Sequence, residues 1–183
     1  NFKPVKCSRR QLRKKALALC DQMNLQSLKK TIGGAKKDFL ELFLSVKTHK
    51  EGMPFRTIVT EQHSWQGALS RFLQKHLKLL QVNDPFLVAN LESVLDYLSK
   101  FEYPQQPLYT FSIDVVDLFY SIPQSQLLCA VRESIDDFGP VTFQNSTGLY
   151  IDNFIELLTF YLSSTIVDFN HNPVLQKGGI CIG

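Results

Sequence analysis

The stretch FSIDVVDLFYSIP, from Phe111 to Pro123, carries Asp114 and Asp117 three residues apart behind an apolar run. The pattern from Leu108 to Ile113 predicts a strand, which would deliver Asp114 at its end, rigidly aimed. A carboxylate held that way suits a hard, oxygen-liganded cation such as magnesium, which takes one or two carboxylates together with substrate phosphates. Where the chain turns next, the Asp117 amide or side chain would address the same phosphates. An acid at a strand end also serves as a plain turn or helix cap, so the pair alone leaves both readings open.

A second stretch, VKTHKEGMPFRTIV from Val46 to Val59, sets Lys47, Lys50 and Arg56 on or beside a hairpin. Bidentate Arg and point-charge Lys are the usual ligands of phosphate oxygens, although a basic turn is also simply soluble. His49 reads as a polar loop residue. A third stretch, QKGGICIG from Gln176 to Gly183, holds Gly178 and Gly179, a pair that permits close backbone approach to a ligand or forms a simple turn. Cys7, Cys20, Cys129 and Cys181 include no C-x-x-C pair, and His49, His63, His76 and His171 are dispersed. No zinc site is therefore expected, and the thiols read as reduced and intracellular.

These segments need elements to position them. Ser8 can cap a helix from about Arg9 to Asn24, with Leu12, Ala16, Leu19, Cys20 and Met23 on one face and basic residues largely on the others. Gly33 and Gly34 read as a loop. Leu40 to Lys47 alternates as a half-buried strand, Thr48 to Pro54 is a connector, and Phe55 to Thr60 pairs back as a hairpin. Helical spacing predicts helices from about Gln66 to Gln81, from Asn90 as cap to Phe101, from Pro123 to Gly139 and from Asp152 to Leu162. Strands near Ile166 to Phe169 and after Pro173 complete the order. Helices and strands alternate, which argues α/β or α+β.

A chain of 183 residues that is 44% hydrophobic and 20% charged can bury a core, which excludes global disorder. The longest apolar stretch, Phe154 to Val167, contains Glu156 and is flanked by Asp152 and Asp168, so no membrane span is expected. No apolar leader with a small-residue cleavage site is visible. Charge is uneven: residues 1–50 hold thirteen Lys/Arg against three Asp/Glu, a net +10, and the remainder is net −7. A basic front on an acidic body points to a polyanion-facing surface coupled to a part that uses carboxylates.

In this order and at these separations, the three segments resemble the fingers and palm of reverse transcriptases, the RNA-directed DNA polymerases. DVVDLFYSIP is similar to that family's first palm motif. KTHK followed by RTIV resembles the fingers motif, and Gln176 to Gly183 resembles the opening of the next palm motif. The KTHK form and the hydrophobic residue before Gly183 look more like the Penelope-like class than like retroviral enzymes. The resemblance covers roughly Leu40 to Gly183 and implies an α+β fold: fingers plus an incomplete palm, an antiparallel sheet packed on helices. It divides the chain into a basic helical region 1–38, a fingers-like part 39–107 and a partial palm 108–183.

The resemblance also implies roles. Asp114 would be catalytic and ligate two Mg²⁺ ions, with the Val115 carbonyl helping to hold one. Arg56, with Lys47 or Lys50, would grip the triphosphate of the dNTP, and Asp117 would lie beside it. Phe119 would stand under the sugar and reject a 2′-hydroxyl. Gln176, Gly178, Gly179 and Gly183 would border an RNA template and DNA primer. The chemistry implied is two-metal nucleotidyl transfer to a primer 3′-hydroxyl. Thr57 stands where the family usually has proline. The family's aromatic-x-Asp-Asp motif is missing, since Asp136 and Asp137 fall at a helix end. The chain is therefore expected to be a fragment of a longer polymerase, inactive alone. The alternative is a non-catalytic module, derived from a polymerase, that grips RNA or a primer–template.

Overall fold

A computed structural model describes residues 2–5, 9–48, 51–80, 84, 86–88, 90–102, 109, 111–169 and 172–180, the Arg9 side chain excepted. Ser8, His49, Lys50, Leu108, Thr110, Gly183, Cys7, Cys181 and residues 170–171 lie outside these residues. The chain divides into two compact units, one of residues 1–80 with 117–183 and one of residues 81–116.

The larger unit begins with a short strand β1 (Phe2–Pro4), then helices α1 (Arg9–Gln22) and α2 (Gln26–Gly33). Helix α2 is an element that the spacing does not predict, and Gly33, expected in a loop, closes it. Its helical signal, Leu28 and Ile32 on one face, spans barely two turns, too little to stand alone. Tertiary contact supplies the rest. The Arg13 guanidinium of α1 donates to the carbonyls of Ile32, Gly33 and Ala35 at 3.0, 2.6 and 2.9 Å and pairs with Asp38 at 2.8 Å. The orphan carbonyls at the end of α2 thus find a donor on another helix.

Strands β2 (Leu40–Val46) and β3 (Phe55–Thr60) form the expected hairpin, with Ser45 opposite Arg56 and Val46 opposite Phe55. Helix α3 (Trp65–Leu77) follows, capped by the Ser64 hydroxyl, which accepts from the Gly67 amide at 3.0 Å. After the second unit come α5 (Leu118–Ser121), α6 (Gln124–Phe138), α7 (Pro140–Thr147) and α8 (Ile151–Ser163), the label α4 being kept for the second unit below. Gly139 ends α6 as expected, yet Pro140 also opens α7, because its fixed φ and missing N–H suit a first helical position. Strands β4 (Ile166–Phe169) and β5 (Asn172–Gln176) close the unit.

The fold is α+β. Its sheet runs β1-β5-β4-β2-β3 and is mixed rather than antiparallel, because β4 pairs parallel to β2. The direction of β4 follows from a tight exit from α8, in which Ser164 N–H bonds Tyr161 O at 3.0 Å and Ile166 N–H bonds Ser164 O at 2.8 Å. The apolar stretch Phe154 to Val167 is divided between the core helix α8 and the start of β4. Phe154, Leu157, Leu158, Phe160 and Leu162 of α8 are buried with Trp65, Leu69, Ile32 and Phe143. Phe143 meets Phe154 edge-on at 5.0 Å, and Trp65 stacks with Phe160 at 5.9 Å. Among the described residues, no helix is long and apolar enough to cross a membrane.

The smaller unit contains α4 (Leu91–Lys100), capped as expected by the Asn90 side chain, which accepts from the Ser93 amide at 2.9 Å. The strand expected over Leu108 to Ile113 is not formed: Tyr109 and Phe111 to Ile113 lie in no strand. Alternating apolar residues favour a strand only where a neighbour can pair with their backbone, and the described part of this unit has no other strand to offer.

Cys20 of α1 is fully buried, and burial, helped by Asp21, pushes its thiol up to about 11. Thiolate chemistry should therefore pass it by. In variants keeping one cysteine each, native Cys20 should resist a thiol-specific reagent near neutral pH while exposed Cys129 labels readily. Equal labelling rates would show that Cys20 is not buried.

Candidate functional site

The hairpin sets two cations on one face. Cross-strand partners point the same way and residues two apart share a face. The pairing of Ser45 with Arg56 therefore puts Arg56 on the same side as Lys47, whose amide bonds Pro54 O at 2.9 Å. The opposite side carries Leu40 and Val59, buried with Val167. Arg56 is exposed and Lys47 half-buried, and neither forms an ion pair with a described residue. The alternation expected of β2 holds only at its start. Leu40 is buried and Leu42 half-buried, whereas Leu44 and Val46 are exposed where the hairpin runs past the sheet.

Asp117 opens α5 with φ 51° and ψ 38°, a left-handed conformation that aspartate tolerates better than most side chains. Its carbonyl accepts from the amides of Tyr120 at 2.9 Å and Ser121 at 3.0 Å, which tightens the turn. Phe119 on this turn is 42% exposed, so its ring is open to a ligand while its backbone is engaged.

Three contacts hold α5. The Tyr120 hydroxyl donates to Thr57 O on β3 at 3.3 Å. The Ile180 amide donates to Phe119 O at 2.8 Å. Gly179, at φ +70°, lies so close that an added Cβ would collide with the Phe119 carbonyl and come within 2.6 Å of Tyr120 Cα. The close approach expected of the glycine pair is thus made by Gly179 toward the α5 backbone, while Gly178 has open space around its Cβ position.

Gln176 is buried, and its side-chain amide donates to Gly178 O at 2.8 Å, fixing the turn from inside. Gln124, which sequence reasoning passed over, donates to Gly179 O at 2.9 Å and Leu162 O at 3.4 Å. It joins the start of α6, the glycine turn and the end of α8. Tyr120 and Gln124 carried no detectable signal, because an aromatic in an apolar run and a glutamine after a proline are both ordinary.

The larger unit therefore brings together the segments that carry Arg56, Lys47, Asp117, Phe119, Gln176, Gly178 and Gly179. Asp114 and Val115 belong to the smaller unit, both exposed, and the described residues before them, Tyr109 and Phe111 to Ile113, lie in no strand. Lys50 and Gly183 lie outside the described residues. Among the described residues, no group of three His, Cys, Asp or Glu side chains could hold a metal ion. Of the residues present, Asp114 and the Val115 carbonyl are the ones that could hold magnesium, the remaining oxygens being left to substrate phosphates and water. No family model, curated protein or solved structure matches the chain.

The glycine pair separates two effects. Gly179→Ala should destabilise the larger unit by about 2 kcal/mol or more, from backbone overlap and the left-handed φ together. Gly178→Ala, with free space around it, should cost well under about 1 kcal/mol. Urea unfolding of both variants checks this, and equal midpoints would refute the packing of Gly179 on α5.

Proposed function

We propose that the chain is the fingers and part of the palm of an RNA-directed DNA polymerase, acting on a primer–template and a dNTP. The observation that carries this reading is the junction at α5. Three segments that resemble that family's motifs, far apart in sequence, are tied there through Thr57, Phe119, Tyr120 and Gly179. Arg56, on the strand that Tyr120 clips, and Lys47, just beyond its hairpin partner, share a face, and neither forms an ion pair with a described residue.

In this proposal Arg56, with Lys47 or Lys50, binds the triphosphate by charge-assisted hydrogen bonds. Asp117 and the first-turn amides of α5 lie beside it. Phe119 limits the space under the sugar, and Gln176 to Gly183 border the nascent base pair. Asp114, with the Val115 carbonyl, is the proposed ligand of magnesium, which in two ions supplies the charge neutralisation of nucleotidyl transfer. A second reading for the chain by itself is a module that grips RNA or a primer–template without chemistry, for which the exposed cations Arg10, Lys14, Lys15, Lys30 and Lys36 of the basic front suffice. The Penelope-like assignment rests on the KTHK form and the hydrophobic residue before Gly183.

Primer extension by the complete polymerase that carries these residues tests the proposal. Asp114→Asn should abolish extension while leaving primer–template binding in place. Arg56→Ala should lower kcat/KM for dNTP by about tenfold or more, since a charge-assisted contact is worth roughly 1.5–3 kcal/mol. Phe119→Ala should admit ribonucleotides and Phe119→Tyr should not. Unaltered extension in the Asp114 and Arg56 variants would end the polymerase reading, and persistent binding without extension in the unsubstituted protein would leave the binding module.

A further inference from the structure

Away from α5, a cleft of about 550 Å³ opens between α2, α3 and the end of α7. Its walls include the first turn of α2, Arg71, Lys75 and His76, and among the described residues no carboxylate lines it. Arg71 and Lys75 stand four residues apart on α3, where like charges repel, and neither pairs with a described acid. Such a pair is relieved by an anion between the two side chains.

Helix α2 faces this cleft with its amide end. Its cap position is Leu25, which offers no acceptor, so the Gln26, Ser27 and Leu28 amides have no side-chain cap. An uncapped helix start favours negative charge.

His76 gives an independent indication. It is only 5% exposed and lines the cleft. Its Nδ1 lies 2.8 Å from Phe72 O, a group that can only accept, so the ring proton sits on Nδ1. Nε2 has no hydrogen-bond partner among the described residues and is not one of the atoms sealed from solvent. Burial, the largest cause, holds the ring's pKa below its ordinary value despite the Phe72 carbonyl, so the ring is neutral at pH 7 and Nε2 is an acceptor. The cleft thus pairs cations and amides, which want an anion, with a buried acceptor that wants a proton donor.

A phosphate monoester or inorganic phosphate meets both demands, because with a second pKa near 6 it still carries an O–H part of the time near neutral pH. Sulfate and an internal phosphodiester carry no such proton. We propose that the cleft is a binding site for a phosphate monoester group, held by Arg71, Lys75 and the first turn of α2, with its hydroxyl donating to His76. The site uses none of the residues assigned to nucleotide handling, so it stands or falls independently of the polymerase reading.

Titration of the whole chain, followed by the His76 imidazole NMR signals at pH 6.5, tests this. Inorganic phosphate and a nucleoside 5′-monophosphate serve as the two possible sources, with sulfate and an oligonucleotide lacking terminal phosphates as controls. Saturable His76 shifts with phosphate are expected, tighter than with sulfate. Arg71→Ala with Lys75→Ala, both exposed and tolerant of change, should weaken that binding about tenfold or more. Tighter binding of the monophosphate than of phosphate would identify a nucleotide as the source, and the reverse would identify the free ion. No saturable shift at millimolar phosphate, no loss in the double variant, or equal response to the unphosphorylated oligonucleotide would overturn the assignment.

Discussion

Backbone lies directly against backbone where Gly179 meets the short helix α5, and the arrangement of the candidate site depends on that contact. Because no side chain intervenes, the Ile180 amide reaches Phe119 O, and the exit from β5 is joined to the turn that carries Asp117 and Phe119. Gln124 and Gln176 then bond the carbonyls of Gly179 and Gly178. Four segments, from β3, α5, the start of α6 and the turn after β5, are in this way reduced to one rigid neighbourhood. A ring or a guanidinium mounted on it keeps a fixed position, which is what binding a charged ligand in one geometry requires.

Charge along the basic front has two fates. Arg13 is engaged by three carbonyls and Asp38, Lys29 by Asp21, and Lys37 by Glu41 at 2.7 Å, so these cations hold the helices and the entry to β2. Arg10, Lys14, Lys15, Lys30 and Lys36 are exposed, and Lys15 also lies 5.6 Å from the centre of the Phe160 ring. A net charge count treats all of them alike. Only the second group, with the hairpin and α3 cations, forms the field that a polyanion would meet.

The two carboxylates of the D-x-x-D pair meet different constraints. Asp117 is locked by α5 hydrogen bonds and a left-handed backbone, a local outlier of the kind that concentrates at functional sites. Asp114 lies in the unit of residues 81–116, where none of the described residues before it is in a strand. The rigid aim that a strand end would give Asp114 is not provided by its own unit, and that is the largest difference between the spacing of these residues and their structure.

Residue pattern alone narrowed the class to α/β or α+β and determined the hairpin with Arg56 on it, the Asn90 cap, the break at Gly139 and the long helices, because each of these rests on local periodicity or turn chemistry. Tertiary structure decided the rest. Helix α2 exists because Arg13 satisfies its last carbonyls, the sheet is mixed because the exit from α8 sets the direction of β4, and the strand before Asp114 fails for want of a partner. Gly179 acquires its meaning only from what it touches, and the cleft around His76 only from three helices meeting. A single chain's sequence records which groups can bond; which groups come within reach is settled by how segments pack, whether they are as near as Arg13 and the end of α2 or as distant as Phe119 and Gly179.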